Sequence, residues 1–220
     1  MRFRLPPRRP AGGPADRAVW QAASLLLSYP DEHLPQRLDT VEALLVHAGP
    51  PAALLRRTAS ALRAADPMAA AAEYVETFDM RRRATMLLTY WTGGDTRNRG
   101  MQMLAFAHAY REAGVQPPAG EAPDYLPVVL EFAATVDPVA GGRLLLGHRA
   151  PIDVVHRALT QTGSRYAFTV GAVCQTLREA TDQEVQQVRQ LMESGPPAEA
   201  VGLQPFTAAV SLGMPTVPAR

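Results

Sequence analysis

A single cysteine, Cys174, serves the whole chain. That excludes an internal disulfide framework and any cysteine-rich metal or cluster site, and it suits a reducing compartment. Lysine is missing altogether, so all 22 basic residues are arginine. With the abundant alanine and proline, this points to a coding sequence of high G+C content, a property of the source and not of the mechanism. Excess charge is missing too: the formal net charge is +1, whereas a nucleic-acid binder needs clustered cations. Nowhere do about 18 apolar residues follow one another, the length that a membrane span requires. The opening MRFRLPPRRPAGGP is basic and proline-rich, but the apolar run of about 7 residues or more that a secretory signal needs does not follow it. It reads as a disordered arm over residues 1–15, and the protein is expected to be soluble and cytoplasmic.

Catalytic patterns are equally sparse. The five histidines, His33, His47, His108, His148 and His156, include no pair at i+3 or i+4 enclosing an acidic residue, so the helical zinc pattern is absent. No glycine-rich loop precedes GK[ST] and no GxSxG occurs, which leaves phosphate-cradle and serine-hydrolase chemistry without residues to carry it. His156 and Cys174 both fall on apolar helix faces, where a core histidine and an inert buried thiol are the expectation. The expected chemistry is therefore no catalytic set, no metal and no cofactor.

What the sequence does have is helical period. Val19, Ala22, Ala23 and Leu26 repeat at helical spacing behind Asp16, a candidate cap, until Tyr29-Pro30 closes the segment. Leu38, Val41, Leu45 and Ala48 follow, then Leu54, Leu55, Ala59 and Leu62. Farther on, Asp124 is expected to cap DYLPVVLEFAATV with Pro127 at the third helical position, DPVAGGRLLLGHRA to break, and Pro151 to open a helix through Leu159. Val170, Val173, Cys174 and Leu177 mark the next, and Thr181 with Glu184 forms a capping box before Val185, Val188 and Met192. No segment sustains period-2 alternation. The expectation is one all-α domain over residues 16–194, a bundle of about eight to ten helices, with a loose proline- and glycine-rich tail over 195–220.

The stretch Tyr74–Tyr110 is the centre of this arrangement. Met68, Ala72, Val75 and Phe78 give one helical stripe, and Met80, Ala84, Leu87, Leu88 and Trp91 a second. Thr92-Gly93-Gly94-Asp95 is expected to reverse the chain into a further helix with Met103, Phe106, Ala107 and Tyr110 on its apolar face. Four aromatics, Tyr74, Phe78, Tyr90 and Trp91, concentrate here. So do Arg81-Arg82-Arg83 and, in DTRNRG, Arg97 and Arg99. Arginines at a helix start oppose the helix dipole and call for carboxylate partners, either Asp79 and Asp95 within the chain or acidic groups on something bound. A second marked stretch, GEAPDYLPVVLEF, places Asp124, Tyr125, Leu130 and Glu131 just past a proline-bounded loop.

Taken together, LLLSYPDEHL, YVETFDMRRRATMLLTYWTGGDTRNRGMQML and APDYLPVVLEF resemble the nitrate reductase assembly chaperones, the NarJ-type or delta-subunit branch of the TorD-like redox enzyme maturation proteins. The likeness runs from residue 17 to about 192, and FD, LTYWTGGDTRNRG and PDYLP in that order make it specific. Related branches that mature sulfoxide and amine-oxide reductases carry histidine after Pro-Asp. Here Tyr125 stands there, as in the nitrate branch. The resemblance implies a TorD-like fold and a cytoplasmic chaperone that binds the immature catalytic (alpha) subunit of nitrate reductase through its N-terminal peptide and assists molybdenum cofactor insertion. It implies neither nucleic acid binding nor membrane insertion. Tyr74, Phe78, Arg81, Tyr90, Trp91, Arg97, Asp124, Tyr125, Leu130 and Glu131 are the candidate client-binding residues, because they combine apolar surface with charges of both signs. The rival readings are a small helical enzyme or nucleotide-binding protein, a helical transcription regulator, and a chaperone for another molybdoenzyme. The first lacks a phosphate loop. The second lacks a basic recognition helix, since the arginines are scattered.

Overall fold

The computed structural model describes residues 12–94 and 97–197. Its centre is α1 (Pro14–Leu27), which buries Val19, Trp20, Ala22, Ala23, Leu26 and Leu27. A helix apolar on nearly every side must be covered on every side. Around it lie α2 (Leu34–Leu45), α3 (Ala52–Arg63), α7 (Leu126–Thr135) and α10 (Tyr166–Thr176), each packed against α1. The polar groups that α1 takes inside find partners across the core: Trp20 Nε1 donates to Thr176 Oγ1 at 2.8 Å, and Ser24 Oγ to the Pro127 carbonyl at 2.8 Å. The helix begins at Pro14 rather than at a cap on Asp16, whose carboxylate accepts instead from the Gly12 N–H at 3.1 Å.

The architecture is all-α, with eleven α-helices and no strand among the described residues. Besides those named, they are α4 (Pro67–Tyr74), α5 (Tyr90–Gly93), α6 (Arg97–Glu112), α8 (Pro138–Gly147), α9 (Arg149–Gln161) and α11 (Asp182–Ser194). No described helix is long and apolar enough to cross a membrane. The capping box expected at α11 is formed in both directions between Thr181 and Glu184. Residues 1–11 of the basic arm and 198–220 of the tail lie outside the described residues, while Pro14 and Ala15, expected in the arm, belong to α1.

Three local expectations give way. The segment DPVAGGRLLLGHRA does not break: Asp137 accepts from the N–H groups of Val139 and Ala140 at 2.9 and 2.8 Å and starts α8. Its glycines are there for proximity, because a Cβ on Gly141 would stand 2.4 Å from Ala133 Cα on α7. Asp124 does not cap α7 either, since Tyr125 occupies that position and the Asp124 carboxylate turns inward.

The third change concerns the centre of the chain. In α4 the buried side chains are Ala70 and Tyr74, continued by Thr77 and Phe78 in a π-helical turn over Val75–Asp79. Met68, placed on the expected stripe, is 81% exposed. Both stripes fit a helical period, and the larger Tyr74, whose hydroxyl has an interior partner, sets the rotation. The Met80-to-Trp91 stripe is not one continuous helix. A 3₁₀ turn over Arg82–Ala84 gives way to a short extended stretch and a further turn, and along residues 84–88 Ala84, Met86 and Leu88 are buried and Thr85 and Leu87 only partly. That alternation is the strand period, hidden inside a pattern that also matched a helix. The face expected on α6 is present, with Phe106 and Tyr110 buried and Met103 and Ala107 partly so.

Candidate functional site

Residues 86–89 are held by the loop that precedes α7. Leu88 N donates to the Asp124 carbonyl at 3.1 Å and Leu126 N to the Met86 carbonyl at 2.9 Å, which makes a single antiparallel bridge between Leu87 and Tyr125. Asp124 completes this clasp with its side chain. One oxygen accepts from Thr89 N at 3.0 Å and from Thr89 Oγ1 at 2.6 Å. The other makes no hydrogen bond, and the nearest cation to it is Arg99, at 3.9 Å. Arg99 also donates to Thr89 Oγ1 at 3.4 Å. Asp124 is wholly buried, and a carboxylate in that setting needs both its donors and its counter-ion. Tyr110 fastens the same loop by donating to the Pro123 carbonyl at 2.7 Å.

Tyr74 joins the clasp to α1. Its hydroxyl donates to the Leu27 carbonyl at 2.8 Å, so the 2.7 Å contact with the Tyr125 hydroxyl is one in which Tyr125 donates. Burial first, and then the neighbouring Tyr125 phenol, drives the Tyr74 phenol far above its ordinary range. Burial also raises Tyr125, and the carboxylates of Glu121 and Asp79 add to the effect. Both phenols therefore keep their protons through neutral pH. The rings of Tyr29, Phe78 and Tyr166 stand 5.5, 4.8 and 5.9 Å from that of Tyr74. Segments around residues 29, 74 and 125, widely separated in sequence, thus meet at one side chain. Tyr29 is 48% exposed and Tyr125 is half-buried, so this aromatic cluster reaches the surface at two points. Beside Tyr29 a groove of about 470 Å³ runs between α2, α3 and α4, with Leu34, Leu38 and Met68 along it and Asp31, Glu32 and Arg63 at its edges.

The ten candidate residues do not form one patch. Tyr74, Phe78, Trp91, Asp124 and Leu130 are buried, and Trp91 spends its indole N–H on the Thr85 carbonyl at 3.1 Å. Tyr125 belongs with Tyr74 and Phe78. Tyr90 is half-buried with its ring 6.0 Å from that of Trp91. Arg81 is exposed and paired with Glu76, while Arg97 is exposed at the start of α6. Glu131 lies elsewhere, on a recess of about 200 Å³ with Tyr110, Pro117 and Phe132. Tyr29 and Tyr166 are the members of the cluster that the motif reading omitted. Tyr29 was within reach, since it stands in LLLSYPDEHL; Tyr166 has no local signal beyond its apolar neighbours.

Elsewhere Cys174 donates to Asp153 at 3.3 Å, and burial pushes its thiol well above the ordinary range. Burial lowers His156. No cluster of three or more metal-ligating side chains occurs among the described residues.

Residues 43–168 match the family model described as the nitrate reductase delta subunit. The chain belongs to that family. All ten candidate residues fall inside the matched range. Within the delta-subunit family its relatives differ in size. Over 159 residues the chain is 62% identical to the nitrate reductase-like protein NarX of Mycobacterium tuberculosis, which covers 72% of this chain but only 24% of NarX. It is 32% identical over 155 residues to the probable nitrate reductase molybdenum cofactor assembly chaperone NarJ of Bacillus subtilis, covering 69% of this chain and 84% of that one. With the nitrate reductase molybdenum cofactor assembly chaperone NarJ of Escherichia coli the identity is 33% over 166 residues, 73% of this chain and 70% of the other. The chain therefore spans about a quarter of one kind of delta-family relative and most of another.

Proposed function

We propose that this delta-family chain is an assembly chaperone for a respiratory nitrate reductase. It binds the immature catalytic subunit through an N-terminal amphipathic segment of that subunit, keeps it open while the molybdenum cofactor is inserted, and is not a catalyst itself. The observation that carries the reading is the convergence on Tyr74. Three separate motif segments are spent on building one aromatic cluster that surfaces at Tyr29 and Tyr125. Such a cluster, beside an apolar groove with charged edges, suits an amphipathic helix laid on its apolar side. The names of the Bacillus subtilis and Escherichia coli relatives support the client.

In this reading the buried candidates Tyr74, Phe78, Trp91, Asp124 and Leu130 shape the surface from beneath. Tyr125, Tyr90, Arg81, Arg97 and Glu131 are the members that touch the client. The direct experiment is to purify the nitrate reductase catalytic subunit from cells with and without this chain and measure its molybdenum content. A subunit poor in molybdenum only when the chain is missing supports the reading. Equal metal loading in both would end it.

A further inference from the structure

Arg82 and Arg83 are unpaired among the described residues. Neither makes a side-chain hydrogen bond or ion pair with any described residue, whereas Arg81, beside them, is paired with Glu76. All three are exposed. They line a recess of about 320 Å³ between the 3₁₀ turn and the C-terminal end of α9, where Ala158 and Thr162 form the opposite wall and no carboxylate takes part. Asp79, the other acid nearby in sequence, does not line the recess.

Most of the carbonyls at that helix end are already taken. Carbonyls at the end of a helix attract cations, but in α9 those of Ala158 and Leu159 accept from Thr162 Oγ1, and that of Thr160 accepts from the N–H groups of Thr162 and Gly163. Two exposed guanidinium forks are thus left without an acceptor among the described residues. The walls also bear on what they would take. No aromatic ring lines the recess to hold a base, and no glycine-rich turn offers a nest of N–H groups to a phosphate. Planar forks on long side chains instead match carboxylates, which they bind through paired N–H donors.

We propose that Arg82 and Arg83 are a docking site for an acidic, carboxylate-bearing segment of a partner polypeptide. The recess takes in none of the rings of the tyrosine cluster, and Arg81 alone is shared between it and the proposed client surface. The site rests on the chaperone reading only in taking the partner to be a polypeptide.

The absence of lysine gives this proposal a clean test. Arg82→Lys/Arg83→Lys keeps the charge and introduces the only side-chain amines in the chain, so carbodiimide can couple a bound carboxylate to no other side chain. The probe is a fluorescein-labelled peptide of alternating glutamate and alanine, followed by anisotropy in full-length protein. The matching lysine–alanine peptide is the control. We expect the acidic peptide alone to bind, more weakly as salt rises, with affinity falling about tenfold or more in Arg82→Glu/Arg83→Glu. The equally charged variant Arg143→Glu/Arg189→Glu should bind like the parent, and the lysine variant should couple to the peptide at 82 or 83. Equal loss in both glutamate variants, or no coupling at 82 and 83, would overturn the proposal. So would displacement of the peptide by one pyrophosphate per chain, which would make this a small-anion site. No client is present in this test, so its failure leaves the chaperone reading standing.

Discussion

The hydroxyl of Tyr125 lies 2.7 Å from that of Tyr74, and Tyr74 in turn holds the last carbonyl of α1 at Leu27. The loop before α7, the end of α4 and the end of α1 are thus joined by two hydrogen bonds in series. Tyr125→Phe removes only the outer bond and is expected to cost about 1 kcal/mol. Tyr74→Phe removes both and leaves the Leu27 carbonyl without its donor, so the expected cost is about 2 kcal/mol or more. Urea denaturation of both variants checks the order.

Asp124 anchors the clasp from inside. Asp124→Ala strips two donors of Thr89 of their acceptor and Arg99 of a counter-ion 3.9 Å away, and breaking a buried charge arrangement from one side costs about 3 kcal/mol or more. The melting temperature should fall well below that of Tyr125→Phe. A helix cap lost at the surface would cost only about 1 kcal/mol, so a small effect would show that Asp124 is dispensable to the clasp.

Legibility in the sequence followed the length of the periodic signal. Long stripes such as Leu38, Val41 and Leu45 were readable because each turn of the helix repeats them, and Thr181 with Glu184 was readable because a capping box lies within four residues. Residues 80–91 were not. Ala84, Leu88 and Trp91 satisfy a helical repeat while Ala84, Met86 and Leu88 satisfy a strand repeat, and the choice is made by the Asp124 loop, more than thirty residues away. The site divides in the same way. Motif residues were visible as motifs, but whether Trp91 faces inward or Tyr29 outward depends on partners that local spacing does not specify.

Gly141 tests the packing of α7 on α8. Gly141→Ala places a methyl group 2.4 Å from both Ala133 Cα and Cβ, which the backbone must relieve by moving apart, at an expected cost of about 1–3 kcal/mol. Gly147→Ala, near the end of α8 with no atom within 4 Å of the new methyl group, should be neutral or slightly stabilising. Thermal melts of the two variants side by side separate close packing from helix propensity.

The N-terminus of α11 sets an acid limit. Two hydrogen bonds from Arg178 at 2.7 Å, joined by those of Thr181, hold the Glu184 carboxyl at about 2, against an ordinary 4.5. A folded-state value below the unfolded one means stability that is fully present above about 4.5 and lost as pH falls toward 2. Glu184→Gln should therefore be less stable than the parent at neutral pH. The difference should close between pH 4.5 and 2; a constant difference across that window would contradict the assignment.

The most direct test of the chaperone account is calorimetric titration of a peptide from the N-terminus of the nitrate reductase catalytic subunit into the parent and into Tyr125→Ala, Tyr90→Ala and Arg97→Ala, with each protein melted in parallel. The account predicts that the parent binds and that Tyr125→Ala loses affinity by more than its small change in melting temperature can explain. Binding at parental strength in all three variants, or loss only where the protein also unfolds, would contradict it.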